Sequence, residues 1–232
     1  MGGVFVTGTD TEVGKTVVCG LLARYLEEKG HRVITQKWIQ TGSPGFPIDI
    51  ASHLKLMGKS KKQIQDYLSL MVPYNFAFPA SAHLAAALEK KKISAAKIRS
   101  SFRQLSNEFD FVIVEGIGGA MVPYNKKKVV IDIAAELDLP IVIVAENKLG
   151  AINHTLLTIE AVRKRKMTIA GIIFNGSKKQ DDKIILEDNR QIIKTLGKVK
   201  ILGQLPWTKN ETELHKAFIP VGNKLLGLLK NG

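Results

Sequence analysis

The chain is poor in cysteine, in aromatic side chains and in acid, and each shortage excludes something. Cys19 is the single cysteine among 232 residues, so neither an intrachain disulfide nor a cysteine-rich metal cluster can form. Its setting in Val17-Val18-Cys19 reads as core packing. Aromatic residues make up 6% of the chain, too few for the stacking ladder of a single-strand nucleic-acid binder. No apolar run approaches the roughly 18 residues of a membrane span. The opening Val4-Phe5-Val6 follows neither a basic leader nor a cleavage pattern. The expectation is a soluble, cytoplasmic protein without a membrane partner.

Acid is outnumbered: 34 Lys and Arg face 21 Asp and Glu, a formal charge of +13. Such an excess suggests phosphates, nucleic acid or an anionic surface as partners. Residues 1–115 carry 15 basic and 10 acidic side chains and residues 116–232 carry 19 and 11, so neither half is a basic tail. The runs Lys90-Lys91-Lys92, Lys126-Lys127-Lys128 and Arg163-Lys164-Arg165-Lys166 lie between apolar segments and read as solvated helix ends and loops. No nucleic-acid partner is expected. At 45% hydrophobic the chain suits one sizeable core, and no linker divides it, so residues 1–232 are read as one domain.

What is present is alternation. Val4 to Thr7 reads as a strand, and helical periodicity through Leu21, Leu22, Tyr25 and Leu26 stops at Gly30. Strands follow at Val33 to Gln36, Phe109 to Val114, Pro140 to Ala145, Ile169 to Phe174 and, at an edge, Val199 to Leu202. Helices are expected from Asp49 to about Lys62, in two stretches over 82–107, from Ile131, over Ile152 to Lys164, over Asp182 to Leu196 and over Val221 to Leu229. Pro73 to Pro79 reads as an irregular crossing. Apolar strands alternating with helices indicate an α/β protein, a three-layer α/β/α arrangement around a mostly parallel sheet.

The strongest motif is Gly8-Thr9-Asp10-Thr11-Glu12-Val13-Gly14-Lys15-Thr16, set between the first strand and the first helix. It offers glycines for a tight path, converging amides, a lysine and a hydroxyl for Mg²⁺, the ingredients of a phosphate loop in a P-loop NTPase-like fold. Five residues separate Gly8 from Gly14 where the common pattern has four, which either removes Gly8 from its usual role or widens the turn. Glu115 ends a buried strand before Gly116-Ile117-Gly118-Gly119, read as a flexible turn that lets backbone approach a ligand. A glutamate there needs a cation, either Mg²⁺ or a lysine. Asp49 reads equally as a Mg²⁺ ligand or as a helix cap. Lys37, directly after the second strand, reads as a solvated loop lysine or as a group reaching a transferring phosphoryl.

These stretches, with Thr41-Gly42-Ser43, Lys148-Leu149-Gly150-Ala151-Ile152-Asn153-His154, Asn175 and Gly203-Gln204-Leu205-Pro206-Trp207, give the chain its resemblance. Matching in order from residue 4 to about 211, it resembles the dethiobiotin synthetase family, whose phosphate loop has the same five-residue gap. The resemblance implies ATP-dependent carboxylation and ring closure of 7,8-diaminononanoate with CO₂, giving dethiobiotin, ADP and phosphate. It implies that Lys15 and the amides of Glu12, Val13, Gly14, Lys15, Thr16 and Val17 hold the ATP phosphates. Thr16, Asp49 and Glu115 would surround Mg²⁺, and Gly116, Ile117 and Gly118 would border the nucleotide. Lys37 would be the catalytic lysine and Thr41 a contact of the diamine. Asn175, Gly176, Gln204, Leu205 and Pro206 would meet the adenine. In a homodimer, Gly150, Ala151, Ile152 and Asn153 of one subunit would meet the substrate carboxylate in the other's site. Trp38 stands where the family usually has a smaller residue, and either reshapes the substrate loop or packs across it. The rivals are another amidoligase on the same scaffold and a nucleotide-controlled switch on DNA or membrane.

Overall fold

A computed structural model describes residues 2–176 and 182–230. Strand β1 (Gly2–Gly8) leads through a loop into helix α1 (Lys15–Glu28), and β2 (Val33–Lys37) precedes the two-residue β3 (Ile39–Gln40). Helix α2 (Ile48–Met57), a 3₁₀ segment (Lys61–Tyr67), the short α3 (Leu68–Met71) and β4 (Tyr74–Asn75) come before α4 (Ala82–Leu88) and α5 (Ala95–Glu108). From there strands and helices alternate. They are β5 (Phe111–Gly119), α6 (Val130–Glu136), β6 (Ile141–Glu146) and α7 (Ala151–Arg163), then β7 (Ile169–Asn175), α8 (Lys183–Gly197), β8 (Ile201–Leu205) and α9 (Glu211–Lys230).

The long strands form one sheet in the order β2-β5-β1-β6-β7-β8, with parallel pairing throughout. A parallel sheet needs cover on both faces, which is why its strands read as continuous apolar runs. Successive side chains go to opposite cores: Val112, Val114, Ile141 and Ile143 enter one, and Phe111, Ile113, Val142 and Val144 the other. Helices α5, α6 and α7 cover the first through Ile98, Leu105, Ile131 and Ile159. Helices α1 and α9 cover the second through Leu22, Tyr25, Phe218 and Leu225. This is the three-layer α/β/α arrangement expected.

Four details differ from the sequence reading. The helix expected to about Lys62 ends at Met57, because Gly58 turns left-handed at φ 67° and a 3₁₀ segment follows. The crossing at Pro73 to Pro79 contains β4, which pairs in parallel with β3. The last helix starts at Glu211 and runs through Pro220, since burial of Phe218, Val221 and Leu225 against α1 outweighs one lost backbone bond. Finally, β5 continues past Glu115 to Gly119, whose register partner is Gly8. Gly116 to Gly119 is therefore strand, not a flexible turn.

Candidate active site

Because the sheet is parallel, the carboxyl ends of its strands share one edge, and the loops that leave there define the site. Register brings together what the sequence keeps apart. Lys37, the last residue of β2, pairs with Glu115 of β5, and Glu115 also pairs with Val6 of β1. On the other side of β1, Glu146, Asn175 and Leu205 align across β6, β7 and β8.

The loop between β1 and α1 has the form its sequence suggests. Glu12 and Gly14 take left-handed backbone, φ 56° and 99°. No side chain caps α1 at Gly14, so its first amides open toward the loop, a natural place for an anion. Lys15 Nζ donates to the Asp10 carbonyl at 2.7 Å, which folds the ammonium over the loop. Gly8 makes this possible, because a Cβ there would lie 2.9 Å from Lys15 Nζ and 2.7 Å from the Asp10 oxygen. Gly8 thus keeps a part in the loop despite the longer spacing. Burial, with the nearby Lys37, lowers the Lys15 pKa from 10.5 to about 8. Glu115 and Asp49 offset only part of this, and a phosphate would supply further negative charge.

Next to the loop lies a buried charge cluster. Lys37 Nζ reaches Asp49 Oδ2 at 2.7 Å and Glu115 Oε1 at 2.8 Å, and donates to the Gly116 carbonyl at 2.9 Å. Thr16 Oγ donates to the same Glu115 oxygen at 3.0 Å. Lys37 and Glu115 are only 5% and 2% exposed, so Lys37 is not a solvated loop lysine. Burial alone would lower the Lys37 pKa, but Glu115 and Asp49 outweigh it and the pKa is raised. Burial likewise acts to raise the Glu115 pKa, yet Lys37 and His53 hold it well below the usual carboxylate range. Asp49 is the second residue of α2, whose cap position is Pro47, so it does not serve as the cap. Its carboxylate goes to Lys37 instead.

Toward β7 and β8 an open cavity of about 420 Å³ gathers Glu12, Val13, Gly14, Val17, Asn175, Gly176 and Pro206. Asn175 Nδ2 donates to the Val13 carbonyl at 3.2 Å, tying strand end to phosphate loop, and Gly176 N donates to the Leu205 carbonyl at 2.8 Å. Gln204 points its amide oxygen at Asn147 rather than into this cavity, at 3.1 Å. A larger cavity, about 960 Å³, opens at the opposite sheet edge among Gly3, Phe102, Leu139 and Met167 and holds none of these groups.

The remaining expected residues spread around the same edge. Thr41 follows β3, and its carbonyl accepts from Gln40. Gly116 is needed for packing, since a Cβ would come within 3.0 Å of Phe5, while Gly118 is left-handed at φ 56°. Ile117 lies between them in β5. Gly150 is left-handed and stands just before α7, whose first turn is Ala151, Ile152 and Asn153. Trp38 packs rather than reshaping the loop. It is 1% exposed, its ring centroid is 5.1 Å from that of Phe5, and its indole donates to Gln36 Oε1.

Two groups were not foreseen. His53 is fully buried and contacts Glu115 Oε2 through Nε2 at 2.7 Å. The available signal was its i,i+4 spacing from Asp49, which puts both on one face of a helix. Asn147 is also buried. It donates to the Leu186 carbonyl and Gln204, accepts from Asn189, and so anchors the segment that leads into α7.

Comparison with known proteins shows the family and the fold. Residues 2–213 match the family model described as an AAA domain. An ATP-dependent dethiobiotin synthetase of Chlorobaculum tepidum is 40% identical over 201 residues, 87% of this chain and 83% of that protein. A second, from Haemophilus influenzae, is 39% identical over 186 residues, 80% of this chain and 97% of the relative. Among solved structures, the Aquifex aeolicus cell division protein MinD superposes with a TM-score of 0.60 at 16% identity, covering 98% of both chains. The pNOB8 ParA protein bound to nonspecific DNA gives 0.64 at 12%, covering 99% of both. These two share the fold. The sequence relatives go further, and the chain belongs to the ATP-dependent dethiobiotin synthetase family.

Proposed function

We propose that the chain joins CO₂ to 7,8-diaminononanoate and closes the ureido ring of dethiobiotin, converting ATP to ADP and phosphate. The observation that carries this reading is the convergence of Lys37, Asp49, Glu115 and Thr16 beside the phosphate loop. Lys15 and the amides from Glu12 to Val17 hold the phosphates, and the cavity beside Asn175 and Pro206 takes the adenine. One amine of the diamine adds CO₂ and loses a proton to give a carbamate. A carbamate oxygen then takes the γ-phosphoryl group as ADP leaves. The second amine attacks the carbamate carbon, phosphate departs with the bond it held, and a second proton is lost as the ring closes.

Anionic groups must meet in this sequence, so charge stabilisation and positioning do most of the work. Lys37, with Lys15 above the loop, supplies that charge, and Thr41, directly after β3, contacts the diamine. Thr16, Asp49 and Glu115 form a set of hard oxygen donors that fits Mg²⁺, and an ammonium already sits between the two carboxylates. When bound, Mg²⁺ neutralises charge on the ATP phosphates.

The site is completed in a homodimer, where Gly150 to Asn153 of one subunit offer free helix amides to the substrate carboxylate of the other. Exposure of Leu149 at 75%, Leu157 at 61% and Met121 at 54% near that helix start supports this arrangement. No described helix is long and apolar enough to cross a membrane. On this reading the chain is one domain working in the cytoplasm. The test is ATP hydrolysis in which diamine and bicarbonate are omitted in turn. Both omissions should stop turnover, and Lys37→Gln should lower kcat about 10²–10³-fold. ATP turnover indifferent to the diamine would reject the reading.

A further inference from the structure

We infer that His53 is a positioning residue that fixes the rotation of the Glu115 carboxylate. Glu115 offers two oxygens with different partners. Oε1 accepts from Thr16 Oγ at 3.0 Å and from Lys37 Nζ at 2.8 Å, facing the phosphate loop. Oε2 faces away, and among the described residues its partner is His53 Nε2 at 2.7 Å. An ionised carboxylate only accepts, so Nε2 is the donor and carries the proton. Without that donor, Oε2 would be buried and unsatisfied, and the carboxylate would turn to share Thr16 and Lys37 between its oxygens.

The rest of the imidazole argues against a plain core residue. His53 is 0% exposed, and its Nδ1 is buried with no hydrogen-bond partner among the described residues. A residue there for packing alone would not keep a desolvated nitrogen unmatched; the ring is tolerated because its other nitrogen is committed to Glu115. The backbone is arranged for the contact. A Cβ at Gly20 of α1 would come 3.3 Å from the His53 Cα, so glycine lets α2 approach closely enough for the ring to reach β5. Asp49 and His53 lie one turn apart on α2, and together they clamp the Lys37–Glu115 pair, Asp49 at the ammonium and His53 at the carboxylate. Gln40 Oε1, accepting from the Asp49 amide at 3.3 Å, holds the start of that helix.

The inference rests on the reading of Glu115 as an oxygen ligand of the site. Its test is a Mn²⁺ titration followed by electron paramagnetic resonance, with ADP bound, on wild type, His53→Leu, His53→Asn and His53→Gln. The Gln amide nitrogen reaches the place of Nε2, whereas the Asn amide stops near Nδ1. His53→Leu and His53→Asn should weaken Mn²⁺ binding about tenfold or more, the range expected when a ligand loses its orienting partner. His53→Gln should restore most of it. Mn²⁺ affinity unchanged in His53→Asn, or a folded His53→Gln no better than a folded His53→Asn, overturns the inference. If His53→Leu does not fold, the Asn and Gln pair decides. The titration requires neither diamine nor turnover, so a wild type that fails the diamine test overturns the function alone.

Discussion

At the scale of single residues, burial and neighbouring charge set the chemistry of the site. Lys15 is held over a phosphate loop, where burial and the nearby Lys37 lower its pKa to about 8. A phosphate favours the ammonium, so nucleotide binding above that pH must draw a proton to Lys15. ATP affinity measured by calorimetry should be flat below about pH 8 and weaken above it, by at most about tenfold per pH unit. Lys15→Arg should remove the bend. An affinity that does not change between pH 7 and 9.5 in the wild type would contradict this account of Lys15. The same residue scale shows what the sequence displayed and what it hid. Lys37 and Glu115 were visible as charges ending apolar strands, and Lys15 and Thr16 as parts of a motif. That Lys37 and Glu115 are register partners was not visible, because register between strands 78 residues apart is a property of the sheet. His53 was hidden for a related reason, since an imidazole on a helix face acquires meaning only from what the helix packs against.

At the scale of elements, α2 delivers Asp49 and His53 and therefore depends on its packing against α1. Gly20 is the contact that sets the spacing: a Cβ would lie 2.6 Å from Leu56 Cδ1 and 2.9 Å from Leu56 Cβ. Replacing a helical glycine recovers roughly 0.5–1 kcal/mol of backbone propensity. Overpacking a tight contact costs about 1–3 kcal/mol, and a branched side chain sits at the upper end. Gly20→Val should therefore lower the melting temperature by several degrees, at about 2–4 °C per kcal/mol for a chain of this size. It should also reduce kcat, because both clamp residues shift with the helix. A variant with wild-type melting and turnover would show that the spacing does not matter. The strands in the middle of the sheet were legible because each is apolar on both faces. The pair β3 and β4 was not, since two residues carry no period. The C-terminal helix, expected over Val221 to Leu229, starts ten residues earlier and runs through Pro220, which its buried neighbours explain.

At the scale of the whole molecule, the charge of +13 has a limited meaning. Its conspicuous runs fall where the sequence reading put them, after α4, in the loop before α6 and at the end of α7. Several members are locally paired, Lys91 with Glu89, Lys128 with Glu136, Arg163 with Glu160 and Arg165 with Asp132. On the proposed reading, the positive charge that serves the chemistry is that of Lys15 and Lys37, beside the phosphate loop and Glu115. The central claim is that this edge makes a ring from a diamine, CO₂ and ATP, and isotopically labelled bicarbonate tests it most directly. Incubation with 7,8-diaminononanoate, ATP and Mg²⁺ should give dethiobiotin carrying the label in its ureido carbon, in step with ADP release. ADP formed without labelled product would contradict the account.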